Sequence, residues 1–173
     1  MNAIRRSLYL PVEDNSGVID EFRKRFDPLN DRPSRIVLVF PFSNVVDTKR
    51  ISEMIALVCK NRLCFSLKSG PAILQKDQVL LPVHSQLKWF FEVHQKLSQK
   101  CGTGPDTSFS PNVILGRGNS VDLASEIEKI PKTLHLRVSR LVLEESVEDG
   151  ISNVLFEDEF RPLHDKKSAQ SFL

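Results

Sequence analysis

The chain has 173 residues, 40% of them apolar and 27% charged, with 24 lysines and arginines against 22 acids. These are the proportions of a folded domain that buries a core, and ten prolines and seven glycines exclude disordered and fibrous classes. A formal charge of +2 gives no bulk electrostatic case for nucleic acid or an anionic membrane, and no apolar run approaches the ~20 residues of a membrane helix.

The basic opening MNAIRR is followed by SLYLPVED, a strand pattern where a signal peptide would have an apolar core. The expectation is a soluble, cytoplasmic protein. Cys59, Cys64 and Cys101 are odd in number, without CxxC spacing or a nearby histidine pair. That predicts reduced, buried thiols and no zinc site.

Ser7–Val12 reads as a short strand. Val18, Ile19, Phe22 and Phe26 then mark one face of a helix closed by Pro28. Ser34–Phe42 is rich in β-branched residues and predicts a buried strand. Asp47 can cap a helix carrying Ile51, Met54, Ile55 and Val58. Leu63, Phe65 and Leu67 alternate with Cys64, Ser66 and Lys68 in a half-buried strand. Ile73–Val83 is a hairpin turning at Lys76-Asp77.

Ser85 opens a helix with Leu87, Phe90, Phe91, His94 and Leu97 on its apolar face. Trp89 lies off that face and is expected to be partly buried; a solvent-facing Trp89 would instead favour a protein interface. The polar stretch 102–110 predicts a loop. A strand at Pro111–Gly116, a helix over 120–130 and two strands, Thr133–Glu144 and 151–160, complete the pattern. The last thirteen residues, 161–173, read as a flexible polar tail containing His164.

The pattern repeats. Strand, helix, strand and strand over about 34–83 are matched by the same series over about 111–160. Both lead strands read serine, an optional proline, a polar residue, then aliphatics ending in leucine. The expectation is one bilobal domain of the α/β (α+β) class, spanning 1–173. Two pseudo-symmetric β-α-β-β lobes with antiparallel sheets would enclose a central cleft.

Four segments carry a family likeness: Ser7-Leu-Tyr-Leu-Pro11; Phe26-Asp-Pro28; Arg35-Ile-Val-Leu-Val-Phe-Pro-Phe42; and Pro111-Asn-Val-Ile-Leu-Gly-Arg117. Arg35 and Asn112 stand 77 residues apart. In these features the chain resembles the 2H phosphoesterase superfamily, which includes 2'-5' RNA ligase-like proteins and cyclic phosphodiesterases. The resemblance implies a His-x-Thr motif on each lead strand. Residues i and i+2 of a strand share a face, so each motif would present an imidazole and a hydroxyl to the cleft. One histidine would then act as general base and the other as general acid, with the threonines holding the phosphate.

This sequence departs from the pattern at all four positions, reading Arg35-Ile36-Val37 and Asn112-Val113-Ile114. Neither arginine nor asparagine exchanges a proton near neutral pH, and Val37 and Ile114 cannot hydrogen-bond a phosphate. Each acid–base group contributes about 10²–10⁴ in rate, so the family's reaction is expected to be lost. His135 shares a strand phase with Arg137 and is the one candidate substitute; His94 reads as a packed helix histidine and His84 as an exposed or capping one.

Strand phase also nominates ligand-binding residues: Tyr9 as a stacking surface, with Arg35, Lys68, Asn112, Arg117 and Arg137. Together they would make a basic cleft suited to a nucleotide or RNA terminus. Alternatively Arg35 merely pairs with Asn112 or a carboxylate. Three functional readings stand: a phosphate-binding protein that has lost catalysis, an enzyme rebuilt around His135, and an interaction module with an inert cleft and an unidentified protein partner. No cofactor, metal or membrane is expected in any of them.

Overall fold

A computed structural model describes residues 4–43, 45–104, 106–118, 122–146 and 152–162. The readings of His164, of the helix start at Ser120 and of most of the 145–150 turn and the tail fall outside them. No helix among the described residues is long and apolar enough to cross a membrane.

The elements run β1 (Arg5–Pro11), β2 (Glu13–Asp14), α1 (Val18–Phe26), β3 (Arg35–Ser43), α2 (Thr48–Lys60), β4 (Phe65–Lys68), β5 (Ile73–Gln75), β6 (Gln78–Pro82), α3 (Leu87–Cys101), β7 (Asn112–Arg117), α4 (Asp122–Ile127), β8 (His135–Val138), β9 (Arg140–Ser146) and β10 (Ser152–Glu159). Among the described residues β10-β9-β1-β3-β7-β6-β5 form one antiparallel sheet, and β2-β8-β4 form a second. This is the mixed, antiparallel α+β architecture the sequence pattern predicts.

The two lead strands, β3 and β7, are neighbours at the middle of the large sheet. They meet in a single register pair, Ile36 with Val113, so the sheet has a loose seam there. β6 pairs with β7, while β9 reaches β3 through β1. The strand that closes each sequence repeat therefore lies on the side of the other repeat's lead strand.

Period-two alternation fixes what each face of the seam carries. Ile36, Leu38, Val113 and Leu115 are fully buried on the core face. Arg35, Val37, Asn112 and Ile114, the alternate residues, are half-buried on the opposite face. Tyr9 pairs with Val37 and Val142, and Ser7 with Glu144, which brings Tyr9 and Glu144 to that same face.

Helix α2 begins as its sequence requires: the Asp47 carboxylate accepts from the Lys49 backbone N–H at 3.0 Å. Helix α1 ends at Phe26 and leans on β7 over Gly116. A Cβ at Gly116 would lie 3.1 Å from both the Cβ and the carbonyl oxygen of Phe26. The missing side chain is what lets the end of α1, and with it Asp27, reach the cleft face.

Four local expectations are corrected. The strand drawn from Thr133 to Glu144 breaks at Ser139, so its two halves serve different sheets. Helix α3 starts at Leu87 behind Gln86, whose positive φ of 59° holds the turn, and not at Ser85. Leu63 is 43% exposed, although Phe65 and Leu67 are buried as expected. Phe91, placed on the core stripe, is 47% exposed and touches Phe109 edge-on. Trp89 is partly buried as expected, wedged between Phe65, Phe90 and Phe160. All three cysteines are free and buried.

Candidate functional site

Arg35, Val37, Asn112 and Ile114 converge on one cleft over the β3–β7 seam. Its remaining walls come from the C-terminal end of α1 and the following loop (Arg23, Asp27, Leu29, Arg32, Pro33), from Phe40 and Ser110, and from Arg117. The free space is about 100 Å³, well below the roughly 300–1,000 Å³ of pockets that swallow a whole small molecule.

Arg35 is held from two sides. Its Nη1 donates to Glu144 Oε2 at 2.9 Å, and its guanidinium lies 4.6 Å from the centre of the Tyr9 ring. Glu144 is 4% exposed and also accepts from Arg32 (3.5 Å) and the Ser146 hydroxyl (3.3 Å). Of the two fates read for Arg35, pairing with a carboxylate is thus observed; Asn112 does not share in it. The Asn112 amide instead donates to the Ser110 carbonyl at 2.9 Å.

The opposite wall is built on Arg23, 5% exposed. Its Nε donates to Asp27 Oδ2 (3.0 Å), its Nη1 to the Arg32 carbonyl (2.7 Å) and Ser34 Oγ (3.1 Å), and its Nη2 to the Leu29 carbonyl (2.7 Å). One side chain thereby closes the loop that delivers Arg32 and leads into β3. A buried guanidinium needs this full set of acceptors. The other oxygen of Asp27, Oδ1, accepts from Arg117 Nη1, so the buried Asp27 links the two arginines. The cleft thus gathers four guanidiniums, of Arg23, Arg32, Arg35 and Arg117, against the carboxylates of Asp27 and Glu144.

Tyr9 is 3% exposed with Arg35 over its ring, so its face is covered and does not offer the expected stacking surface. Burial is the main cause that pushes its hydroxyl pKa up to about 12; the charge of Glu144 adds to it, and Arg35 opposes it.

Lys68, His135 and Arg137 are brought together elsewhere. Lys68 faces His135, and Ser66 faces Arg137, across β4 and β8 on the exposed side of the small sheet. None of the three lines the cleft. The strand break at Ser139 is the physical reason, because it moves β8 out of the sheet that carries β9. His84 is exposed and its ring covers Gly70. His94 is packed, as expected: its Nδ1–H donates to the Leu38 carbonyl (2.7 Å), its Nε2 accepts from the Asp106 N–H (3.0 Å), and its ring stacks on Phe109. No described histidine lines the cleft.

Sequence reasoning missed Arg23, Asp27, Arg32 and Glu144. Asp27 had a signal, in the quoted Phe26-Asp27-Pro28. The Arg23-Lys24-Arg25 run ending α1 and Arg32 just before the lead strand were signals for cleft charge. Nothing local marks Glu144, which reaches Arg35 from 109 residues away.

No family model and no curated protein matches the sequence. Solved structures do match its fold. A Thermus thermophilus protein superposes with a TM-score of 0.61 at 13% identity, over 92% of this chain and all of its own. Escherichia coli LigT complexed with 3'-AMP gives 0.55 at 13%, over 91% and 99%. A phosphoesterase gives 0.55 at 16%, over 90% and 99%. The chain therefore has the fold shared by LigT and this phosphoesterase, the fold that the sequence resemblance implies.

Proposed function

We propose that this protein binds a phosphate-bearing nucleotide or RNA end in the β3–β7 cleft and does not turn it over. The observation that carries the reading is the convergence of Arg35, Val37, Asn112 and Ile114 on a cleft richer in guanidinium than in carboxylate. Anion binding and acid–base chemistry make different demands. The first needs fixed N–H donors and positive charge; the second needs a group that exchanges protons near neutral pH.

Arginine meets the first demand alone. Its planar fork carries five donors, more than one carboxylate can use, and it stays charged throughout the working range of pH. Arg35 and Arg117 are held by Glu144 and Asp27, with side chains 19% and 30% exposed. They are oriented before any ligand arrives, which lowers the ordering cost of binding.

Volume favours the phosphate as the enclosed part. About 100 Å³ suits a compact anion, while the nucleoside stays at the mouth beside Phe40, 58% exposed. A base can stack on such a ring whatever its identity. LigT, with the same fold, has been crystallised with 3'-AMP, which makes that nucleotide the natural probe.

The reading is tested by titrating 3'-AMP into the unmodified protein and into Arg35→Ala and Arg117→Ala. Saturable binding, weakened at least about tenfold by either substitution, is expected, since a charge-assisted pair contributes about 1.5–3 kcal/mol. Absence of saturable binding, or equal affinity in all three proteins, overturns it.

A further inference from the structure

The outer face of the small sheet gathers cations that the cleft does not use. Phe65, Leu67, Leu136 and Val138 of β4 and β8 are buried in the core. The alternate residues Ser66, Lys68, His135 and Arg137 therefore point outward, and all four are exposed. Lys68 pairs with His135, and Ser66 with Arg137. A bridge between Ser69 and Val83 carries the register one segment further, and the His84 N–H donates to the Lys68 carbonyl at 3.0 Å. Because Ser69 and Val83 are buried, His84 falls on the outer face, where its ring lies over Gly70. The face thus carries a row His84–Lys68–His135, with Arg137 one step along β8.

None of these four side chains makes an ion pair among the described residues, whereas each arginine of the cleft is paired with a carboxylate. Glu13 stands opposite Arg137 on β2, also without an ion pair among the described residues. The cleft balances its own charge; the outer face does not.

We propose that this face docks an extended acidic segment of another protein, with carboxylates at alternate positions. Outward residues two apart on a strand are separated by about 6.8 Å, the spacing of side chains i and i+2 in an extended peptide. A Glu-x-Glu segment running along β4 and β8 sets one carboxylate at the Lys68–His135 row and the next at Arg137 and the Ser66 hydroxyl. Glu13 repels a chain shifted toward β2, which keeps the segment over β4 and β8. The face offers no Phe, Tyr or Trp among these six residues on which the bases of a single strand would stack, and no apolar side chain among them to enter a bilayer. The surface lies apart from the β3–β7 cleft, so the inference stands or falls independently of what the cleft binds.

The experiment follows the fluorescence anisotropy of a labelled peptide of alternating serine and glutamate as the full protein is added at several salt concentrations. A second peptide carries the same number of glutamates at every third position, which turns successive carboxylates to opposite sides of an extended chain. A labelled oligouridylate is the third probe. The alternating peptide is expected to bind saturably, more weakly as salt rises, and several-fold tighter than the second peptide. Lys68→Glu combined with Arg137→Glu should weaken it at least about tenfold, since an exposed charge pair contributes up to about fivefold and reversal adds repulsion. The milder pair Lys68→Ser with Arg137→Ser should cost several-fold, at an unchanged unfolding midpoint. Absence of saturable binding, equal affinity for the two peptides, or an affinity that survives both double variants overturns the proposal. Tighter binding of oligouridylate that is lost in the same variants overturns it in favour of a nucleic-acid surface.

Discussion

The guanidinium of Arg35 and the carboxylate of Glu144 meet at 2.9 Å from strands 109 residues apart in the chain. Arg35 is the lead-strand residue for which the sequence resemblance implies a histidine, and Glu144 is buried beneath it. The pair keeps a guanidinium at the cleft floor, held by a buried carboxylate. Replacing Glu144 with glutamine removes a negative charge while keeping the side-chain volume. Phosphate or 3'-AMP should then bind several-fold tighter, and calorimetric titration reads the change directly. Weaker binding would mean that Glu144 matters chiefly for holding Arg35 in place.

Tyr9 is the protein's single tyrosine, so tyrosinate absorbance titrates one group. Its pKa is pushed up to about 12 by burial and Glu144, against about 10 in the unfolded chain. The folded state therefore holds this proton more tightly. The associated stability is fully present below pH 10 and is lost between about pH 10 and 12, at up to about 1.4 kcal/mol per pH unit. Tyr9→Phe should flatten the fall of stability in that window, and Glu144→Gln should lower the tyrosine midpoint. A midpoint near 10 in the folded protein would contradict the buried, carboxylate-facing hydroxyl.

The Arg23–Asp27 pair is more deeply buried, with side chains 7% and 1% exposed. Removing one partner leaves the other charge without compensation in the interior. Asp27→Ala should cost about 3–5 kcal/mol in a denaturant titration, and it should free Arg117 from the cleft wall. An unchanged midpoint would show that water reaches Arg23.

Two glycines separate crowding from cost. A Cβ at Gly70 would come within 2.4 Å of the His84 ring, closer than the 3.1 Å contact at Gly116. Yet His84 is an exposed side chain that can swing away, whereas Gly116 faces the Phe26 backbone. Gly116→Ala should therefore be the costlier change, about 1–3 kcal/mol, and Gly70→Ala nearly neutral. The order of the two unfolding midpoints decides it.

What the sequence made legible was periodic. Alternation on Arg35–Val37 and Asn112–Ile114 placed four side chains on one face because strand geometry leaves no other arrangement. Helical spacing buried His94, and Asp47 capped α2 for a local reason. The remainder depended on distant partners. Tyr9 looked like an open platform until Arg35 covered it. Lys68 and Arg137 had the right phase in the wrong sheet, because the break at Ser139 carries no strong sequence signal. Asp27, Arg23 and Glu144 join the site only once α1 has settled over Gly116 and β9 has paired with β1.

The most direct measurement is a phosphorus NMR titration of 2',3'-cyclic AMP with the unmodified protein, which reads binding and turnover in one spectrum. The cyclic phosphate resonance should broaden and shift in a saturable way, with no monoester signal growing in. A monoester signal that depends on the protein would contradict the loss of catalysis, and an unperturbed cyclic resonance would contradict phosphate binding in the cleft.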